Sequence, residues 1–410
     1  MSVLCYAPAT SVLIDTSKGL RPCCLYQDGF LGTLKKDNII NIFHNEKWTS
    51  LRDKMESNEW PAGCLICKDN EKVVGTSLRQ NHFNYASEED VVNKRLTYIE
   101  FNGSNICNLS CVHCHSTYSS RWHNERKRIE RLLPNYAQPK QELIKKFHIM
   151  HNNVDDGELM NSTHLPDPEL ILSNLKILDL NHLRMISFRG GEPFLNSETK
   201  VVLEYLLEKN LLENIDILIT TNCTYVTDEY VSLLNHCKSV CFNLSIDGID
   251  ELFNYIRYGD AKFSDVEPVI AKLNQIRNAN LNVSTAPMNY NAFDLIKIRD
   301  WTRKLSEIYT KLNPMPGFNN CVVHPAYLSL RTLSDKTRNN LVKYYSDNSI
   351  DNEFVYVINV LSSEYIGNEI HQQWIDYTNY MQEIRNNDIV SIVPQLANEL
   401  ICTEKNNGVL

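Results

Sequence analysis

The chain has 410 residues, 43% of them hydrophobic and 22% charged, with a formal net charge of -9. That length allows about two or three packed units with a sizeable buried interior. The acidic balance gives no footprint for a nucleic-acid backbone or an anionic membrane, so neither is an expected partner. No apolar run reaches the ~20 residues that span a bilayer, and the N-terminus lacks a basic stretch followed by an apolar core, so the expected location is the cytoplasm. In that reducing compartment thirteen cysteines point to metal more than to disulfides.

In chain order, the first 88 residues are rich in cysteine and turn signals, with the apolar run Ser11-Val12-Leu13-Ile14 and a helix-like stretch from Ile39 to Met55. They read as a small α+β domain of their own. Cys5, Cys23, Cys64 and Cys67 are spaced C-x17-C and, some forty residues on, C-x2-C, with Cys24 an extra thiol able to substitute for Cys23. Four such cysteines close a site for zinc or for iron and sulfur.

A polar connector, Asn84 to Lys94, leads into the apolar segment Leu96 to Phe101, which reads as a strand. Strands and helices then alternate, the pattern of parallel βα units. Met185 to Arg189 is a short buried strand, followed by a helix beginning near Asn196 and Ser197 with Val202, Tyr205 and Leu206 on one face. Ile215 to Thr220 reads as a strand covered on both faces. Thr227 caps a helix with Tyr230, Leu233 and Leu234, and Val240 to Ile246 alternates as a fourth strand. A helix near Asp265 to Ala279 and two further strands, Leu281 to Ala286 and Cys321 to Tyr327, complete a partial (β/α)6 barrel over residues 95–330. Residues 134–168 interrupt this rhythm as an insertion too long for an ordinary loop. Residues 331–410 read as a helical extension, with helices around Asp335 to Tyr345 and Tyr365 to Arg385. Insertion and extension are the expected substrate-facing variables.

Directly after the first barrel strand, Cys107, Cys111 and Cys114 are spaced C-x3-C-x2-C. Three thiolates leave one iron of a cubane cluster open to a small-molecule ligand. Structural zinc would take a fourth protein ligand, with His113 or His115 available. Arg189-Gly190-Gly191-Glu192-Pro193 ends the next strand, where glycines permit close backbone approach and a carboxylate pairs with an ammonium. Thr220-Thr221-Asn222 and Ser245-Ile246-Asp247-Gly248 follow the next two strands, bringing hydroxyl, amide and carboxylate groups to the same rim. Arg257 adds a cation suited to a carboxylate. Cys223, Cys237, Cys241 and Cys402 sit in apolar surroundings as buried hydrophobes, whereas Cys321, if at the rim, is placed to donate hydrogen.

The cysteine trio, the strand before it, the two-glycine turn with Glu192 and the βα repeat together resemble the radical S-adenosylmethionine (SAM) superfamily. The resemblance implies a [4Fe-4S] cluster on Cys107, Cys111 and Cys114 whose open iron holds SAM. It further implies that Gly190, Gly191, Glu192, Thr220, Asn222, Ser245, Asp247 and Arg257 bind SAM, and that the His113 backbone lies near adenine, where the family usually carries an aromatic residue. An electron from a flavodoxin- or ferredoxin-like donor would release a 5'-deoxyadenosyl radical that abstracts hydrogen from a peptide or small-molecule substrate. The N-terminal cysteines are similar to the twitch domain, a shortened SPASM domain holding an auxiliary [4Fe-4S] cluster, although here the module precedes the barrel. The expected reaction is a two-electron oxidation such as peptide modification. A redox-neutral epimerisation using Cys321 and a non-catalytic regulator with two zinc sites stand as alternatives.

Overall fold

A computed structural model describes residues 3–15, 19–74, 77–132, 134, 138, 141–142 and 167–400. The expected insertion at 134–168 falls almost wholly outside the described residues, as does Cys402.

One seven-stranded sheet organises the chain, in the order β2-β1-β3-β4-β5-β6-β7. Its strands are β1 (Ser11–Asp15), β2 (Gly19–Arg21), β3 (Tyr98–Asn102), β4 (Met185–Arg189), β5 (Asp216–Thr221), β6 (Ser239–Ser245) and β7 (Ala279–Ser284). From β3 to β7 each strand pairs in parallel with the next, as the alternation of strands and helices predicts. Helices Ser197–Glu208, Asp228–Leu234 and Val266–Leu273 make the crossovers, the first two capped by Asn196 and Thr227 as expected.

The two ends of the sheet depart from the sequence reading. The expected boundary near residue 88 is not a boundary in the sheet, because β1 pairs in parallel with β3 from Ser11↔Tyr98 to Asp15↔Asn102. The sixth parallel strand therefore comes from the N-terminus. Cys321 to Tyr327, expected to supply it, forms no strand. Its Val322 N–H bonds to the Pro287 carbonyl, and Pro325 has no N–H to give a ladder. Beyond β7 the sheet continues, among the described residues, as isolated parallel bridges to Leu312 and Gly317.

Successive strand side chains alternate between two faces of the sheet. On the outer face Ile99, Phe101, Ile186, Phe188, Ile217, Ile219, Phe242, Leu244, Leu281 and Val283 are buried in the main core. The inner face carries Glu100, Asn102, Ser187, Arg189, Thr220, Asn243, Ser245, Asn282 and Ser284. Along β5 and β6 these inward positions are only half-buried. The expectation that β5 is covered on both faces is thus corrected: helices cover one side, and the other faces a polar hollow. In the helical C-terminal region, Asp335–Asn348 and Asn368–Arg385 match the reading, and Val355–Leu361 lies between them. No helix among the described residues is long and apolar enough to cross a membrane.

Candidate functional site

The loop leaving β3 has its backbone fixed from four sides. Its Ile106 carbonyl accepts from Glu192 N at 2.7 Å, and Ser110 N and Val112 N donate to the carbonyls of Tyr258 and Ile256. Ser119 Oγ and Trp122 Nε1, on the segment that follows, donate to the carbonyls of Leu109 and Cys111. Tyr377, on the C-terminal helix, donates its hydroxyl to the Val112 carbonyl at 2.9 Å. The two-glycine turn and the Tyr258-Gly259 segment press so closely that a Cβ at Gly191 or Gly259 would meet backbone atoms of residues 105–106 or 108–109. Both glycines serve the packing of the cysteine loop, and Gly191 also lines the cavity.

So held, Cys107, Cys111 and Cys114 line one cavity of about 670 Å³. His113, Gly190, Gly191, Thr220, Asn222, Ser245 and Arg257 line it too, so the structure brings most of the sequence-predicted residues together. Burial and mutual repulsion push the thiols up, Cys107 to about 12. Such a set is costly as thiolates unless cations compensate them, which is the condition iron supplies.

Two predicted residues lie behind the wall. Asp247 is fully buried, accepting from Ala286 N at 2.8 Å and pairing with Arg257 Nη2 at 2.7 Å. It aims the guanidinium, whose Nη1 lies 3.9 Å from Cys111 Sγ. Although burial opposes the Arg257 charge, Asp247 and the cysteines outweigh it and hold the group more firmly protonated than usual. Glu192, only 1% exposed, accepts from Thr221 Oγ1 (2.7 Å), Asn222 N (2.8 Å) and Phe194 N (3.3 Å), and so ties the β4 turn to the end of β5.

Burial pushes the Glu192 carboxyl up to about 7, against the pull of those hydrogen bonds. A raised carboxyl contributes its full stability below about pH 4.5 and loses it as pH rises through about 7. In the ligand-free chain, the advantage of wild type over Glu192→Gln should therefore shrink by about 3 kcal/mol between pH 4 and pH 8. Denaturant unfolding at the two values checks it, and a constant difference would contradict the placement of this group.

His115, named from sequence as a possible zinc ligand, lines the cavity as well, and Tyr118, Arg189, His324 and Pro325 join the wall without having been named as site residues from sequence. Arg189 faces Glu100 at 3.5 Å across the inner sheet face, and only its position next to Gly190 could have marked it. Cys321, offered as a hydrogen donor, is not among the lining residues; it is half-buried, with its thiol 3.9 Å from the Phe318 carbonyl.

A second, narrow cavity gathers Cys5, Cys23, Cys64 and Cys67, with Tyr26, Trp60, Arg79 and His82 in its wall. Burial pushes Cys5 and Cys64 up to about 12, the neighbouring thiols adding to it. Cys24 faces the other way, its sulfur 3.9 Å from Arg189 Nη1. Among the described residues no three His, Cys, Asp or Glu side chains crowd round one ion's position. In both places thiols stand around a hollow.

Residues 101–291 match the family model described as the Radical SAM superfamily. No curated protein matches the chain. Solved structures similar to it include anSMEcpe with bound AdoMet, at 19% identity and a TM-score of 0.36 over 62% of this chain and 59% of that one. Streptococcus suis SuiB bound to precursor peptide SuiA matches at 14% identity and a TM-score of 0.30, over 73% and 64% of the two chains. TYW1 with a lysine-pyruvate adduct matches at 12% identity and a TM-score of 0.27, over 62% and 72%. The chain thus spans about three fifths of the length of anSMEcpe. The stretch that carries the cysteine trio, the two-glycine turn and Arg257 is a radical SAM domain.

Proposed function

We propose that this chain is a radical SAM enzyme carrying a second iron–sulfur cluster, and that it oxidises a peptide or a small metabolite. The observation that carries the reading is the convergence of three thiols, and among the described residues no fourth cysteine, on one cavity whose wall also presents Thr220, Asn222, Ser245 and Arg257. Cys107, Cys111 and Cys114 would hold a [4Fe-4S] cluster with one iron open, which when bound would supply the one-electron chemistry that splits SAM and yields an organic radical able to remove a hydrogen atom from substrate.

The work of the chain's own residues is binding, orientation and exclusion of water. Arg257, steadied by Asp247, fits a carboxylate; Thr220, Asn222 and Ser245 fit hydroxyl and amino groups; the His113 segment would lie beside adenine. Glu192 holds the β4 turn and the β5 end in register beneath them. Tyr118, Arg189, His324 and Pro325 line the same cavity and would be the residues that meet substrate. Cys5, Cys23, Cys64 and Cys67 would hold the second cluster, which supplies a one-electron acceptor and makes a net oxidation feasible. A flavodoxin- or ferredoxin-like protein is the proposed electron donor.

Iron and sulfide analysis of the anaerobically reconstituted full chain tests the reading. It should hold about eight irons, falling to about four when Cys107, Cys111 and Cys114 are replaced by Ala, and to about four when Cys5, Cys23, Cys64 and Cys67 are replaced. Cys23→Ala should lose the second cluster and Cys24→Ala should keep it. Stoichiometric zinc in place of iron would reject the proposal.

A further inference from the structure

One buried polar side chain in the four-cysteine cavity has no hydrogen-bond partner among the described residues. His82 begins the single turn His82–Asn84 and is 2% exposed. Its ring is flanked by those of Tyr98 and Tyr85, with centroids 5.6 and 6.0 Å away. Neither Nδ1 nor Nε2 finds a hydrogen-bond partner among the described residues. A neutral imidazole carries one N–H and one lone-pair nitrogen, and buried groups of this kind are nearly always satisfied. An unsatisfied one marks a place where something else binds. The imidazole lines the same cavity as Cys5, Cys23, Cys64 and Cys67.

The neighbouring cation is already committed. Arg79 Nε and Nη2 donate to the Glu71 carboxylate at 2.8 and 2.7 Å, and Nη1 donates to the Leu4 carbonyl at 2.6 Å. Arg79 therefore adds fixed positive charge beside the thiols, while His82 has a hydrogen-bonding proton to give.

We propose that His82 donates its ring N–H to a sulfur of the cluster held by Cys5, Cys23, Cys64 and Cys67, and thereby raises that cluster's reduction potential. The inference rests on the four-cysteine reading above. Hydrogen bonds to cluster sulfurs are among the features that set such potentials, because they offset the negative charge gained on reduction. His82 is a positioning and tuning residue, with no direct part in substrate chemistry.

The test uses the full chain with Cys107, Cys111 and Cys114 replaced by Ala, so that one cluster is left to observe, and follows its reduction by electron paramagnetic resonance at controlled potential. His82→Phe should leave the iron content unchanged and lower the reduced-to-oxidised ratio at a given potential about tenfold, about 59 mV for a one-electron couple. His82→Gln, which keeps an N–H donor, should recover most of that loss. A parent that takes up no iron overturns the four-cysteine reading itself. An iron-loaded phenylalanine variant with the parent's potential overturns the role of His82 and leaves the cluster standing. Should the phenylalanine variant not take up iron, pulsed resonance on the parent with 15N-labelled histidine decides: nitrogen coupling supports the hydrogen bond, and its absence overturns it.

Discussion

Arg385→Met should unfold the chain at lower denaturant, by about 3–5 kcal/mol, and should strip iron from the cysteine trio before it affects the N-terminal cysteines. Arg385 ends the helix Asn368–Arg385, 275 residues along the chain from the loop it braces. Its Nε and Nη2 form a two-pronged pair with the Glu125 carboxylate at 2.9 and 3.0 Å, and Nη2 also donates to the Ser110 carbonyl at 2.7 Å. The guanidinium lies over the rings of Trp122 and Tyr258, 4.8 and 4.5 Å from their centroids. Both charges are almost wholly buried, so deleting one strands the other and frees the segment between Cys107 and Cys111. Arg385→Lys keeps the charge without the planar fork and should recover only part of the loss. Denaturant unfolding together with iron analysis checks both effects. The C-terminal extension, expected from sequence to face substrate, thus has a structural part that holds the cysteine loop from behind.

Gly191→Ala should abolish iron binding at the trio while the N-terminal four-cysteine cluster persists. Its methyl group would be driven into the Ile106 carbonyl and come within 2.8 Å of the Asn105 carbonyl carbon. Both are backbone, and the loop cannot retreat without breaking the bond from Glu192 N to the Ile106 carbonyl. Overpacking of this kind costs about 1–3 kcal/mol, but here the strain falls on the residue next to Cys107. Gly317→Ala is the control: its nearest neighbour is a flexible Asn319 side chain at 3.6 Å, and it should bind iron as wild type does. Iron counts on the two variants settle the matter.

What the sequence discloses is what local pattern encodes. β4 to β7 follow from short apolar or alternating runs, and the trio, Gly190, Gly191 and Arg257 from spacing and order along the chain. What it hides depends on distant partners. Ser11 to Ile14 is visibly an apolar run, yet that it becomes an inner strand depends on pairing with residues 98–101, which no local signal announces. Cys321 to Tyr327 shows the converse, a strand-like composition whose hydrogen bonds go elsewhere. Asp247 and Glu192 have the right chemistry for ligands, but spacing does not tell whether a carboxylate meets the cavity or supports the residue that does. Cys23 and Cys24 are equivalent on paper and diverge in space because neighbouring side chains need not share a face. Arg385 and His82 belong to no motif, and only the fold gives them neighbours.

The central claim is that Cys107, Cys111 and Cys114 hold an iron–sulfur cube with one corner free for SAM. Its most direct test is to reduce the anaerobically reconstituted chain in the presence of SAM and measure 5'-deoxyadenosine. The account predicts release that depends on both reductant and SAM and vanishes in Cys114→Ala. An iron-loaded wild-type chain that leaves SAM intact would contradict it.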